Sequence, residues 1–235
     1  MDLLEVRHLV RPAQQNPTAQ AQMEGRLFTV ESGVVSLQTE RGLWVIPPGH
    51  VGWVPSMHVH GMVVHGKMRG LQLNFSQQWS QAQMPAEPKV VKLTPLLQGL
   101  LTEMPLGENG LYLQVFADAF ERKPLPTLFL PMPSDPRLLA MTTSLVQYPA
   151  NDADLDAWAN DTGIPRRTLT RRFFKETGLS FAQWRQQMRL LLALEQLADG
   201  EMLTTVAQKV GYQSVSAFIQ VFRRALGTTP KAIFP

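Results

Sequence analysis

The last third of the chain carries one pattern twice, about 48 residues apart, and few folds accommodate it. In the first copy Leu155, Trp158 and Ala159 are spaced for one face of a short helix, Gly163 offers a turn, and Ile164 precedes a second helix with Leu169 and Phe173 four apart. In the second copy Val206, Ala207 and Val210 form the inner face, Gly211 turns, Tyr212 follows, and Phe218 and Phe222 repeat the four-residue spacing. Apolar residues four apart share a helix face, so each copy describes two helices packed across a tight turn, a helix-turn-helix unit. Between the copies, the leucine-rich segment 180–198 is predicted as one helix that fixes their separation. Caps or proline at segment starts and glycine near their ends predict five helices, mostly short, in about 75 residues, an all-α domain.

Charge is informative through its placement. Lys plus Arg is 22 against 19 for Asp plus Glu, a net +3 that does not by itself announce a polyanionic partner. Over residues 165–189, however, Arg166, Arg167, Arg171, Arg172, Lys175, Arg185 and Arg189 face a single acid, Glu176. With Leu169 and Phe173 turned inward, Arg166, Arg167, Thr170, Arg171 and Lys175 are left outward. In the second copy the outward set is Gln213, Ser214, Ser216, Gln220, Arg223 and Arg224, a milder surface. Arginine presents a planar fork that matches guanine O6 and N7 or a phosphate. An isolated basic stripe is more often a solvated helix face, but duplication of the whole helix pair argues against that reading. A stiff spacer would let both helices enter successive major-groove segments about 34 Å apart.

The front of the chain has a different rhythm. From residue 25 to 75, short apolar runs rich in β-branched and aromatic residues are broken at Gly33, Gly42, Gly49, Gly61 and Gly70, the spacing of a small antiparallel barrel or sandwich. Residues 90–103 and 110–121 have helical apolar spacing and are the best candidates for dimer contacts. Prolines at 124, 126, 131, 133 and 136 forbid a regular helix and predict an extended strap at the domain boundary. The expected architecture is an α+β two-domain chain: an antiparallel β-barrel over 1–80, linker helices and strap over 85–133, and the all-α domain over 134–235. A length of 235 residues with 44% hydrophobic composition suffices for two modest cores. Cysteine is absent, which excludes disulfides, thiolate metal sites and cysteine nucleophiles. No long apolar run or secretory leader is visible, so a cytoplasmic protein without a membrane partner is expected.

His58, Val59 and His60 read as alternating on a strand, with both imidazoles on one side and His65 as a third nitrogen donor. No carboxylate lies nearby in sequence, and strand ends often carry surface histidines. Trp44 and Trp53 could wall a small-molecule pocket or simply fill the barrel, and Met57, Met62 and Met68 fit either role.

Residues from about 131 to 234 resemble the AraC/XylS family of transcription regulators. The resemblance is carried by RRTLTRRFFKETGLSFAQWRQQMRLLLAL and VAQKVGYQSVSAFIQVFRRALGTTPKAIF, with Gly211, Tyr212, Ser214, Phe218, Phe222, Gly227 and Pro230 meeting the family signature. It implies a sequence-specific DNA-binding regulator rather than an enzyme, without cofactor, acting on double-stranded promoter DNA as a homodimer. The base-reading positions it implies are Arg167, Thr168, Thr170 and Arg171 in the first unit and Val215, Ser216, Ile219 and Gln220 in the second. Arg166, Lys175, Ser214 and Arg224 join them as DNA contacts. The stretch LWVIPPGHVGWVPSMHVHG is similar to the family's cupin-like barrel, which implies an effector pocket involving Trp44, Trp53, His58 and His60. Many relatives carry a His-x-His pair where Gln20 and Gln22 stand here, a departure that argues against an inherited metal site. The alternative reading is a cupin-type metal-dependent oxygenase or isomerase using His58, His60 and His65.

Overall fold

A computed structural model of the chain describes residues 2–13, 19–104, 110–122 and 128–234. The chain divides into two compact units, one of Met1–Thr39 with Trp44–Leu128 and one of Glu40–Leu43 with Phe129–Pro235.

The strands of the first unit are β1 (Leu3–Arg11), β2 (Gly25–Thr39), β4 (His50–Val54), β5 (Gly61–Phe75) and β6 (Lys89–Lys92), together with Trp44–Ile46 of β3 (Gly42–Ile46). Antiparallel β5 lies between β1 and β2, and the first half of β2 pairs on its other edge with β4, which in turn pairs with β6. Glycine spacing suggested shorter strands than these. β2 and β5 each run 15 residues, and β2 passes through Gly33 on a bulge whose register against β5 shifts between Val30 and Val34. Gly33 adopts φ +73°, which lets one strand bend without ending.

Strand alternation sorts the sheet into two faces. Leu27 lies opposite Trp53 on β4 and Leu73 on β5, and these join Phe75 in a core with α1 (Gln77–Gln83), α2 (Pro95–Glu103) and α3 (Gly110–Glu121). Leu97, Leu113, Phe116 and Phe120 are the helical side of that core. The neighbouring positions Arg26 and Phe28 lie opposite Asn74 and Gln72 and therefore belong to the other face. The helix expected over 90–103 is corrected: Val90 and Val91 belong to β6, and α2 starts at Pro95 behind the Thr94 cap. Two β-branched residues beside an unpaired β4 edge are worth more as strand than as an extra helical turn, and Pro95 suits only the first turn of a helix. The helix expected over 110–121 coincides with α3.

The second unit contains β7 (Phe129–Pro131) and the helices α4 (Pro136–Gln147), α5 (Leu155–Thr162), α6 (Arg166–Thr177), α7 (Phe181–Ala198), α8 (Leu203–Lys209), α9 (Val215–Leu226) and α10 (Pro230–Ile233). Of the predicted strap, positions 124 and 126 lie outside the described residues, and the remainder leads through β7 into α4. α4 is a helix that apolar spacing did not announce. Its start is written in Asp135-Pro136: the aspartate side chain accepts from the amides of Arg137 and Leu138, and proline occupies the first turn. α7 opens with a reciprocal Ser180–Gln183 capping box and buries Trp184, Met188, Leu191 and Leu194. Trp184 Nε1 donates to the Pro131 carbonyl at 2.7 Å, tying β7 to this helix.

Two histidines of the first unit, His50 and His60, are buried, and loss of solvent is the leading cause that pushes both imidazoles below the ordinary value of 6.5. A base with a depressed folded pKa leaves the unfolded chain holding more protons, so its contribution is complete above the unfolded value of 6.5 and is lost as pH falls from there through the lower folded value. The unfolding midpoint followed by Trp fluorescence should drop between pH 7 and 5.5, and His60→Gln should reduce the drop. A midpoint flat across that interval would exclude this linkage.

Candidate nucleic-acid interface

The two helix pairs are repeats with one inserted residue. Leu155 and Leu203 open the leading helices 48 positions apart, whereas Arg166 and Val215 open the following helices 49 apart, so the second pair carries one extra residue before its following helix. Both turns close in the same way. Gly163 at φ +64° lets the Ile164 amide donate back to Ala159 O at 3.1 Å, and Gly211 at φ +87° lets the Tyr212 amide donate to Ala207 O at 2.8 Å. Ile164 is then buried, and Tyr212 packs on Phe218 with ring centroids 5.3 Å apart.

Most cations of the basic stripe already have structural partners. Arg189 is 12% exposed and donates to Pro149 O at 3.0 Å, Gly211 O at 3.0 Å and Asp152 Oδ1 at 2.7 Å. A Cβ on Gly211 would lie 2.6 Å from that guanidinium. Arg185 donates to Ala153 O at 3.0 Å and lies over the Phe181 ring. Arg172 pairs with Asp135 at 3.3 Å, and Arg166 pairs with Asp156 of α5. Arg167, Arg171 and Lys175 make no ion pair among the described residues. Glu176, the single acid of the stretch, accepts from the amides of Ser134 and Asp135 at 2.8 and 2.9 Å, so its charge is used at the start of α4.

The structure places the remaining candidates as follows. On α6, Leu169 and Phe173 are buried, while Arg166, Arg167, Thr170, Arg171 and Lys175 are exposed and Thr168 is half-buried. Thr170 donates its hydroxyl to Arg166 O at 2.9 Å. On α9, Phe218 and Phe222 are buried, while Ser216, Gln220, Arg223 and Arg224 are exposed and Val215 and Ile219 are half-buried. Ser214 is exposed and caps α9 by accepting from the Ala217 amide at 3.2 Å. Arg223 and Arg224 sit in the last turn, where the helix dipole favours cations. Sequence reasoning passed over Phe174, which is exposed beside Arg171; its signal was the second of two adjacent phenylalanines on a helix that can bury only one.

In the first unit the histidine reading needs correction. His58 and Val59 are not in a strand; His60 forms an isolated bridge with Gln20, and its Nδ1 lies 2.9 Å from His58 O. Among the described residues no three of His, Asp and Glu form a group that could hold a metal ion. Trp53 lies on the helix-covered face with its ring sealed from solvent and its Nε1 donating to Pro85 O at 2.9 Å; Trp44 is also buried. Gln20 and Gln22 are joined side chain to side chain, and Arg26 donates to Gln22 Oε1 at 2.9 Å. Arg26 Nε is buried without a hydrogen-bond partner among the described residues, and burial is the leading cause that lowers its pKa. On the same strand face Gln72 donates to Asn74 at 2.7 Å, and Asn74 to Glu5 at 3.2 Å. Arg26 was therefore missed, although an arginine leading the apolar run of β2 could have marked it.

A helix-turn-helix domain model matches residues 158–234, which spans most of α5 to the end of α10. The chain is 32% identical over 215 residues to the HTH-type transcriptional regulator NimR of Escherichia coli K12, covering 88% of this chain and 78% of that protein. The chain belongs to the AraC family of DNA-binding transcription regulators. Similarity to another regulator, RipA of Corynebacterium glutamicum, is 36% over 110 residues and covers 47% of this chain and 32% of that protein. Among solved structures, ToxT from Vibrio cholerae aligns over 99% of this chain and 97% of its own at 10% identity and a TM-score of 0.42. In this chain an antiparallel sheet unit precedes a helical unit with two helix-turn-helix pairs. No helix among the described residues is long and apolar enough to cross a membrane.

Because Arg189 satisfies three acceptors at once, Arg189→Ala should destabilise the second unit by about 2 kcal/mol or more, the scale of losing charged hydrogen bonds from a buried site. Arg189→Lys should fail to rescue it, since an ammonium cannot span the same fork. Urea unfolding of the full chain followed by circular dichroism checks both, and wild-type stability in either variant would contradict the assigned role.

Proposed function

We propose that the outward faces of α6 and α9 form the promoter-reading surface. Arg166, Arg167, Thr168, Thr170, Arg171 and Lys175 engage one major-groove segment, and Ser214, Val215, Ser216, Ile219, Gln220 and Arg224 the next. The observation that carries this reading is the set of cations on α6 that lack an acidic partner, Arg167, Arg171 and Lys175, on one of two repeated helix pairs. Protein acids pair with Arg166, Arg172 and Arg189, and a backbone carbonyl and the Phe181 ring hold Arg185, so these three charges remain available to phosphate and guanine. Residues 134–235 act as the DNA-binding domain, 1–80 as the effector domain and 85–133 as the link, in a non-enzymatic cytoplasmic protein. Self-association as a homodimer is supported by Leu96 on α2 and by Leu111, Tyr112 and Val115 on α3, which are exposed apolar side chains.

The same reading gives the first unit a small-molecule effector. Arg26, with a buried donor left over, is the anchor for an acceptor-bearing ligand, and Gln22, His58 and His60 are its polar neighbours, with Trp44 as apolar wall. Trp53 supports the sheet from the helix side. Such a ligand regulates DNA binding only through unequal affinity for two states of the chain.

Two substitutions separate base reading from backbone holding. Arg171→Ala should lower affinity and relax base preference by about 1–3 kcal/mol at one position if its contact is bidentate. Arg224→Ala should weaken all duplexes alike and reduce the salt slope by about 1. Binding titrations at several salt concentrations decide the point; unaltered specificity in the first variant, or a loss confined to one sequence in the second, would reverse these roles.

For the effector, thermal-shift screening of small carboxylates against the full chain should find a stabilising compound whose effect disappears in Arg26→Gln. Equal stabilisation of that variant would remove Arg26 from the site.

A further inference from the structure

We infer that Phe174 is a specificity-determining residue that reads thymine through its C5 methyl group. The inference rests on the DNA-binding reading of α6 and adds a contact of different chemistry to its cationic set. Phe173 and Phe174 are adjacent, yet Phe173 is 1% exposed and Phe174 is 58% exposed. Phe174 is the exposed phenylalanine among the described residues; the others are buried or half-buried. At about 100° per residue, Leu169, Phe173 and Thr177 mark the inward side of α6, while Arg167, Arg171 and Phe174 lie about 100° or more around the helix from it and Thr170 borders them. The spacing 167, 170, 171, 174 is that of one helical stripe, so the ring lies on the same outward surface as the two arginines without an acidic partner.

The fold gains little from this ring. Burying a phenylalanine side chain is worth about 1.5–3 kcal/mol, and most of that is forgone here. A polar residue would serve a solvated helix equally well. In the major groove, by contrast, thymine presents the single apolar feature of the four base edges, its C5 methyl, and phenylalanine is one of the side chains that contact it. An aromatic ring cannot satisfy the amino donor of cytosine or the acceptors of guanine, so Phe174 penalises those bases as well as favouring thymine. Arg171, one position before it on the stripe, supplies the hydrogen-bonding contact to a neighbouring base pair. The α6 half-site is then expected to hold a thymine adjacent to the pair read by Arg171.

The test uses the full-length protein and the duplex it selects most strongly from a randomised library. Specific binding of the wild type to that duplex is measured first; without it the DNA-binding reading fails, and the Phe174 role with it. Each thymine in the α6 half-site is then replaced singly by deoxyuridine, which removes only the methyl group. One replacement should weaken the wild type by about three- to ten-fold, while Phe174→Ala should bind the thymine and deoxyuridine duplexes equally. Phe174→Ala should keep the wild-type melting temperature, because the ring is exposed, and Arg171→Ala should keep the deoxyuridine effect. Specific binding that ignores every methyl group overturns the assignment to Phe174 alone. So does a Phe174→Ala variant that still distinguishes the two duplexes, or one that binds normally and loses only transcription, which would make the ring a protein contact.

Discussion

Arg189 is the interaction on which the geometry of the second unit depends. From the middle of the long α7 helix its guanidinium reaches the loop before the first helix pair through Pro149 and Asp152, and the turn of the second pair through the Gly211 carbonyl. Two recognition helices can address one duplex only if their separation is fixed, and apolar packing alone tolerates sliding and rotation. A planar fork with three directional bonds does not. Gly211 completes the arrangement, since any side chain there would displace the fork.

The stripe from residue 165 to 189 has seven cations in sequence, but the fold divides them into two populations. Arg166, Arg172, Arg185 and Arg189 hold helices to loops and to each other, and their charge is answered by Asp156, Asp135, backbone carbonyls and Asp152. What remains on the outward face of α6 is a smaller set, and the single acid, Glu176, faces the start of α4. Local surplus, more than the modest net charge, sets the positive potential of this face.

The sheet unit shows the complementary division of labour. One face buries Leu27, Trp53 and Leu73 under three helices, while the other carries Arg26 and the Gln72–Asn74–Glu5 chain. Polar groups at that depth must find partners, and the amides do so with one another. Arg26 Nε does not, which makes this face the chemically unfinished part of the first unit.

Much of this was legible in sequence. The four-residue spacing of Leu169 with Phe173 and of Phe218 with Phe222, followed by glycine, needs no distant partner, because helix periodicity and left-handed turns are local properties. The same holds for α3 and for α5 to α9. Where distant chain segments decide, the reading failed. Val90 and Val91 became strand because β4 lay beside them, Gly33 bent a strand instead of ending it because β5 continued past, and His58 left the strand on which alternation had placed it. Equally, no local rule tells Arg189 from Arg171, or Phe173 from Phe174. The sequence by itself determined a doubled helix pair and an antiparallel sheet, since both follow from short-range periodicity. Only the tertiary structure decided which arginines are consumed in holding it together and which face outward, because a charge is neutralised by whatever acid or carbonyl folding brings within about 3 Å of it.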